Sequence, residues 1–395
     1  MAEWYKETSD AIKEDMIALS DAIFSHPELG YEEFKSSDAH AQVLRKYGFD
    51  VEKPYMGLET GYRATFDSGK PGPRICYMAE YDALPGLGEG GGPGHGCGHN
   101  MLGTAAVAAG IILSKKLPEC GGSVVVMGTP AEETSGAKVR YANEGAFDDC
   151  AVAIVNHPCI GGHMRSGRSL ALITQEFIFT GKPAHAASAP EMGINALDAA
   201  TITNVAIGLL RQQTRDDARI HGIITEGGLA PNVIPERVVM KFYVRAADRV
   251  YRNALLEKVK DCARAGALAT GCQLEMKEFE EPYDDLMTNE ALSRVMCESL
   301  KQVGVEKVEE PRKTFGSLDA GNVSYVCPTI HPYFPIGMDK SVANHTREFA
   351  ACTQTDYAKD NMMLAAQAMA IAGYRIITEP ETLKEIRDEF DAMPK

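Results

Sequence analysis

Residues 101–116, MLGTAAVAAGIILSKK, read as a helix that is apolar on every face until its two closing lysines. A helix with no side to turn to water must be covered all round. Two later runs, SVVVMGTP and CAVAIVNHP, lack the polar alternation of a half-exposed strand and read as strands of a sheet covered on both faces. Buried strands alternating with helices predict an α/β domain. Upstream, KEDMIALSDAIFSHPELG reads as a helix closing at Gly30 and SSDAHAQVLRKYGF as one closing at Gly48. GYRATFD and RICYMAEYD read as two paired strands joined through the turn SGKPGP.

A chain of 395 residues exceeds what one hydrophobic core serves, so two domains are expected. Near residue 169 the pattern changes to strand, helix, strand, strand, helix, strand, beginning with SLALITQEFIFTG and ending with CQLEMKEFEEP. That βαββαβ order is the split arrangement of ferredoxin-like folds. From about residue 289 the first pattern resumes, with YVCPTIHPYFPIG extended and a last long helix opened by a capping box from Thr353 to Asp356. The expectation is an α/β catalytic domain over 1–175 and 288–395, with a ferredoxin-like domain inserted at 176–287.

A formal net charge of −15 argues against nucleic acid or an anionic membrane as partner. No apolar stretch is long enough to span a bilayer, and the start MAEWYKETSD lacks a basic region followed by an apolar one, so the chain is read as cytoplasmic. Its 10 cysteines follow no disulfide frame. Cys76, Cys150, Cys262 and Cys327 stand in apolar runs and read as small buried hydrophobes.

Cys97 differs. It lies in GHGCGHNMLG, a glycine-rich segment with little apolar surface to offset the entropy of ordering it. The segment carries His95, Cys97 and His99, so a metal or a proton-transfer role is the natural source of its order. Glu132 and Glu133 follow one buried strand, His157 follows another, and His345 comes from the returning segment. Sites in open α/β sheets gather at the carboxyl ends of strands. One thiolate, three imidazoles and a carboxylate suit Zn²⁺ or Mn²⁺ better than Mg²⁺ or Ca²⁺. Five ligands exceed a closed tetrahedral site and suffice for two ions sharing a bridge. In an adjacent Glu pair, one carboxylate can ligate while its neighbour takes a proton from the attacking water, whose pKa the metal lowers.

The ordered segments EYDALPGLG…GHGCGHNMLGTAAVAAG, GTPAEE, NHP, FTGKPAHAA, PNVIPE and NHTREF resemble the motifs of the M20 metallopeptidase and amidohydrolase family. The resemblance runs from about residue 10 to residue 375. It is nearest the branch of aminobenzoyl-glutamate hydrolase subunits, N-acyl-amino-acid amidohydrolases and M20-domain dipeptidases. It implies two divalent ions per subunit held by Cys97, His99, Glu133, His157 and His345, with Glu132 as general base and Asp82 orienting the metal cluster. In the insert it implies that His185 reaches the neighbouring subunit's site to polarise the scissile carbonyl, and that Asn232 and Arg245 bind substrate. Arg245 suits a free α-carboxylate, which a guanidinium grips with two parallel hydrogen bonds. The implied protein is a homodimer, joined through the inserted domain, that cleaves the amide of a small N-acyl amino acid or dipeptide. Two positions depart from the pattern. Asn100 stands where many relatives carry aspartate, and Glu80 where distant ones carry a histidine ligand, so Glu80 is not assigned as a ligand. His95 is left unassigned, and His331 is open as a pocket-lining residue.

Two rival readings compete with this one. The first makes Cys97 a nucleophile activated by His99 or His95; it leaves Glu132, Glu133, His157 and His345 without a role. The second makes the chain a non-catalytic or weakly active binding subunit of a hetero-oligomeric amidohydrolase, against which stands the filling of every expected catalytic position.

Overall fold

A computed structural model describes residues 4–311 and 316–394. The chain divides into two compact units. One takes Met1–Arg168, Leu286–Lys313 and Asp319–Lys395; the other takes Ser169–Asp285 and Thr314–Leu318.

The first unit opens with α1 (Trp4–Ser25), α2 (Phe34–Lys46), β1 (Asp50–Glu52), β2 (Tyr62–Asp67) and β3 (Arg74–Ala79). It continues through α3 (His99–Ser114), α4 (Leu117–Cys120), β4 (Ser123–Gly128), α5 (Ala137–Asn143), β5 (Val152–Ile154) and β6 (His157–Ile160). The second unit holds β7 (Ala171–Thr180), α6 (Ala196–Leu210), β8 (Arg219–Glu226), β9 (Arg237–Ala246), α7 (Arg249–Thr270) and β10 (Gln273–Lys277). The chain then returns to the first unit with α8 (Glu290–Gln302), α9 (Ala320–Ser324), β11 (Thr329–Ile330), β12 (Tyr333–Gly337), α10 (Arg347–Cys352), α11 (Asp356–Thr378) and α12 (Pro380–Ala392).

Six strands of the first unit form a sheet in the order β1-β2-β4-β3-β5-β11. β4, β3, β5 and β11 run parallel, while β2 pairs with β4 antiparallel. The expected pairing of GYRATFD with RICYMAEYD is therefore not made, because β4 lies between them. Every residue of β4 is buried, and an all-apolar strand loses least by taking the centre of the sheet. All of α3 is buried as well, and it packs on α1, α11, β3 and β4.

The first helix ends at Ser25, ahead of Gly30. Gly30 serves a different need: a Cβ there would come within 2.8 Å of the Ala131 Cβ. The last long helix, α11, is capped by Thr355, whose side chain accepts from the Ala358 N–H, and not by Thr353. Thr353 is buried and donates to the Ala350 carbonyl instead. A further helix, α12, follows.

In the second unit the strand order β10-β7-β9-β8, all antiparallel, is the ferredoxin-like topology expected from βαββαβ. Phe177, Phe179, Phe242 and Met240 fill its core beneath α6 and α7. This unit begins at Ser169 rather than at 176, because β7 is one unbroken strand of 10 residues paired with β9 along its length. Among the described residues, no helix is long and apolar enough to cross a membrane.

Candidate metal centre

The parallel strands of the first unit deliver chemistry at their carboxyl ends. Glu80 and Asp82 follow β3, Glu132 and Glu133 follow β4, His157 opens β6 just beyond β5, and His331 follows β11. Cys97 and His99 straddle the start of α3. The N-cap between them is Gly98 with φ +79°, where a Cβ would lie 2.7 Å from Pro158 Cγ. Only glycine fits that close approach in that backbone conformation. His345 takes φ +60°, and its N–H donates to the Gly96 carbonyl at 2.8 Å, which ties the returning segment to the glycine-rich loop.

The ligand atoms of Cys97, His99 and His157 lie within 4.8 Å of one another, and so do those of Cys97, Glu133 and His345. Two triads thus share Cys97. A third group joins Glu80, His99 and Glu132. Two of the imidazoles, those of His99 and His157, are oriented from their far sides. His99 Nδ1 donates to Asp82 Oδ1 at 2.8 Å, and His157 Nδ1 donates to the Pro158 carbonyl at 2.6 Å. Carboxylate and carbonyl only accept, so each ring turns Nε2 toward the cluster. Cys97 Sγ lies 3.4 Å from His157 Nε2, and His345 Nε2 lies 3.5 Å from Glu133 Oε1.

Buried His99 Nε2 and Glu133 Oε1 have no hydrogen-bond partner among the described residues. Atoms so placed are what a cation would satisfy. The donor set also fits: thiolate and imidazoles favour a borderline ion such as Zn²⁺.

Burial pushes the Cys97 thiol well above its ordinary pKa, and the Glu133 charge adds to this. Burial pushes Glu132 up as well, helped by Glu133 and Glu80. Burial holds His157 down to about 3, so that ring is a neutral donor at pH 7. For His99 burial acts downward, but Asp82 and Cys97 outweigh it and the ring's pKa lies well above the usual value. A proton there supplies the positive charge that the surrounding carboxylates demand.

The sequence did not single out two other members of this site. Lys138 is fully buried, with Nζ 2.8 Å from Glu80 Oε1 and 2.7 Å from Asp319 Oδ1. Burial alone would raise the Glu80 pKa, but Lys138 and His99 hold it down to about 2, so Glu80 stays ionised 3.3 Å from His99 Nε2. The two-residue spacing of Glu80 and Asp82 was a usable signal, since alternate residues of an extended chain share a face. Lys138 and Asp319 gave none. His331 stacks on His157 with centroids 5.4 Å apart. His95 Nε2 donates to the Ile23 carbonyl at 3.1 Å, and His95 belongs to none of the three groups.

The other expected residues lie in the second unit. His185 is exposed, and its Nδ1 accepts from the Ala187 and Ser188 amides at 3.2 Å each. The ring proton of the neutral form must then sit on Nε2. The Ala186 N–H donates to the Asn232 carbonyl at 3.0 Å, so the His185 and Asn232 segments adjoin. Arg245, on β9, donates to Ser317 Oγ at 2.9 Å.

The sequence model of peptidase family M20/M25/M40 matches residues 76–369. The chain is 35% identical to a Xaa-Arg dipeptidase of Mus musculus, over 97% of this chain and 90% of that protein. It is 29% identical to a p-aminobenzoyl-glutamate hydrolase subunit of Escherichia coli (strain K12), over 98% of this chain and 95% of that one. Among solved structures, a dinuclear metal binding peptidase of the M20 family from Bacillus subtilis superposes with a TM-score of 0.71 at 20% identity, covering 93% of this chain and 99% of that one.

Proposed function

The chain belongs to peptidase family M20/M25/M40, and from that premise we propose that it is a metal-dependent amidohydrolase cleaving a dipeptide or small N-acyl amino acid with a free carboxylate. One observation carries the reading: the two ligand triads sharing Cys97, with Glu132 beside them. The assigned metal ligands are Cys97, His99, Glu133, His157 and His345, for two ions of Zn²⁺ or Mn²⁺. A divalent ion held there supplies Lewis acidity to the scissile carbonyl and to the attacking water.

Glu132 takes the proton of that water and returns it to the departing amine nitrogen. Burial and neighbouring carboxylates raise its proton affinity, which suits a group that must hold a proton between the two steps. Asp82 keeps His99 in its ligating orientation. His185 presents an Nε2–H fit to donate to the oxyanion of the tetrahedral intermediate. Arg245 receives the substrate carboxylate, and Asn232 lines the same binding region.

The enzyme acts as a cytoplasmic homodimer. The edge strand β8 exposes Ile223 and Ile224, and α6 exposes Ile202, Val205 and Leu209. An unpaired edge with apolar side chains suits pairing with a second copy across a two-fold axis. The reported relatives' names supply dipeptides ending in arginine and p-aminobenzoyl-glutamate for the trial panel, and N-acetyl amino acids complete it as small N-acyl substrates. Hydrolysis of a panel member, lost on chelation and regained with Zn²⁺ or Mn²⁺, is the expected result. A folded chain that binds neither ion, or is loaded but inert on the whole panel, refutes the proposal.

A further inference from the structure

The Glu132–Glu133 pair sits on an unusual turn. Ala131, just ahead of it, has φ +63°, a left-handed conformation disfavoured for an L-residue with a Cβ. Something must hold it there. The Ala131 carbonyl accepts from Thr134 N at 3.2 Å and Gly136 N at 2.8 Å, which closes the far side of the turn. On the near side, the Ala131 N–H donates to Glu33 Oε1 at 2.8 Å.

Glu33 is fully buried at the N-cap of α2, yet its side chain makes no capping bond. Glu28 does that work instead, accepting from Lys35 N at 3.0 Å and Ser36 N at 2.9 Å. Glu33 is thereby released to reach the turn. Gly30 lets the same segment approach, since a Cβ there would meet Ala131 Cα at 2.9 Å and Thr134 Oγ1 at 2.7 Å.

We propose that Glu33 is a positioning residue for the carboxylate pair: its oxygen clamps the Ala131 amide and fixes the left-handed turn that aims Glu132 and Glu133 into the cluster. Two carboxylates then grip alternate amides of one turn, Glu33 at Ala131 and Asp82 Oδ2 at Glu133, the latter at 2.9 Å. Hydrogen bonds from an amide to a buried carboxylate are among the stronger kind. The inference rests on the reading that Glu133 ligates metal and Glu132 moves the proton.

The test compares four variants by Zn²⁺ affinity in chelator competition and by amide exchange of residues 131–136 in the metal-free protein. Glu33→Ala removes the acceptor, and should weaken Zn²⁺ binding about 10- to 100-fold while accelerating exchange in the turn. Glu33→Asp keeps the charge but draws it back by one methylene, and should behave like the alanine variant. Glu33→Gln keeps an acceptor oxygen at the same reach, and should stay within about threefold of wild type. Adding Ala131→Gly to Glu33→Ala removes the Cβ penalty, and should recover most of the lost affinity. If Glu33→Ala does not fold, the Asp and Gln variants carry the comparison. Wild-type affinity and exchange in Glu33→Asp, or equal damage from Asp and Gln, overturns the clamp. Failure of the wild-type chain to bind either Zn²⁺ or Mn²⁺ refutes the functional reading, and the exchange measurement still decides the clamp.

Discussion

Asp82 and His99 are joined by a hydrogen bond of 2.8 Å between Oδ1 and Nδ1, and the second oxygen of the same carboxylate accepts the Glu133 N–H at 2.9 Å. One buried group thus fixes an imidazole and the backbone of a carboxylate that face the same cluster. Both bonds need an acceptor. Asp82→Asn leaves one oxygen for two donors, so it should weaken Zn²⁺ binding about 10- to 100-fold, measured by competition with a chelator. Unchanged affinity would show that the His99 ring is held by packing alone.

Glu132 belongs to one of the three ligand groups but to neither of the two that share Cys97. Glu132→Gln should therefore keep metal content near wild type while lowering kcat by about 10²- to 10⁴-fold, the range of general base catalysis. Elemental analysis and turnover on the responding substrate check both halves. Loss of metal together with activity would make Glu132 a ligand rather than a base.

Metal binding should depend steeply on pH. Burial raises the Cys97 thiol, and Asp82 and Cys97 raise His99 against the effect of burial, so both carry protons near neutrality. His157, lowered to about 3 by burial, is neutral and carries no proton on the Nε2 that faces the cluster. An ion entering the Cys97, His99 and His157 triad thus displaces roughly two protons, and the logarithm of its affinity should rise by about 2 per pH unit between pH 6 and 8. Calorimetry in buffers of different ionisation enthalpy counts the protons directly. A count near zero would mean that the thiolate and the neutral ring already exist in the metal-free protein.

The candidate ligands Cys97, His99, Glu133 and His157 were readable because each follows a local cue: a glycine-rich loop, or a carboxylate or histidine just past an apolar strand; His345 has no such cue, and its assignment rested on the family resemblance. The strand order was not. Whether β2 pairs with β3 or with β4 is decided by which strand gains most from the centre, a comparison across the whole sheet. Lys138 and Asp319 stand 181 residues apart, and neither has a neighbour that marks it as buried and paired. Glu33, in YEEFKSS, reads as an ordinary acid at a helix start; its use elsewhere depends on Glu28 having taken over the cap. The insert's first strand was read in its place from residue 169, while the domain boundary was set inside it at 176, since a boundary near a continuous strand has no composition signal of its own.

Glu33 also predicts a pH-dependent stability. Burial, then the Asp82 charge, lifts its pKa from 4.5 to about 7. A carboxyl whose folded pKa lies above its unfolded value stabilises the fold fully below about pH 4.5, and that contribution is lost as pH rises through 7. The loss is on the order of 3 kcal/mol at 1.36 kcal/mol per pH unit. Glu33→Gln removes the titration. Its Tm relative to wild type, in the metal-free protein, should therefore climb between pH 5 and 8. A difference that stays flat over that interval would mean Glu33 titrates as an exposed carboxylate does.

The assignment of His185 to a neighbouring protomer's site makes the sharpest demand. Its Nδ1 is engaged by two backbone amides, which leaves the Nε2–H to do the work proposed for it. His185→Ala and Glu132→Gln should each be nearly inactive alone. Mixed and allowed to exchange protomers, they form heterodimers in which one site joins an intact Glu132 from one chain to an intact His185 from the other, while the second site lacks both. Each heterodimer should recover up to about half of wild-type activity if the sites act independently. Native mass spectrometry of tagged chains confirms the exchange. Activity that stays at the single-variant level despite exchange would place His185 in the service of its own chain, or of none.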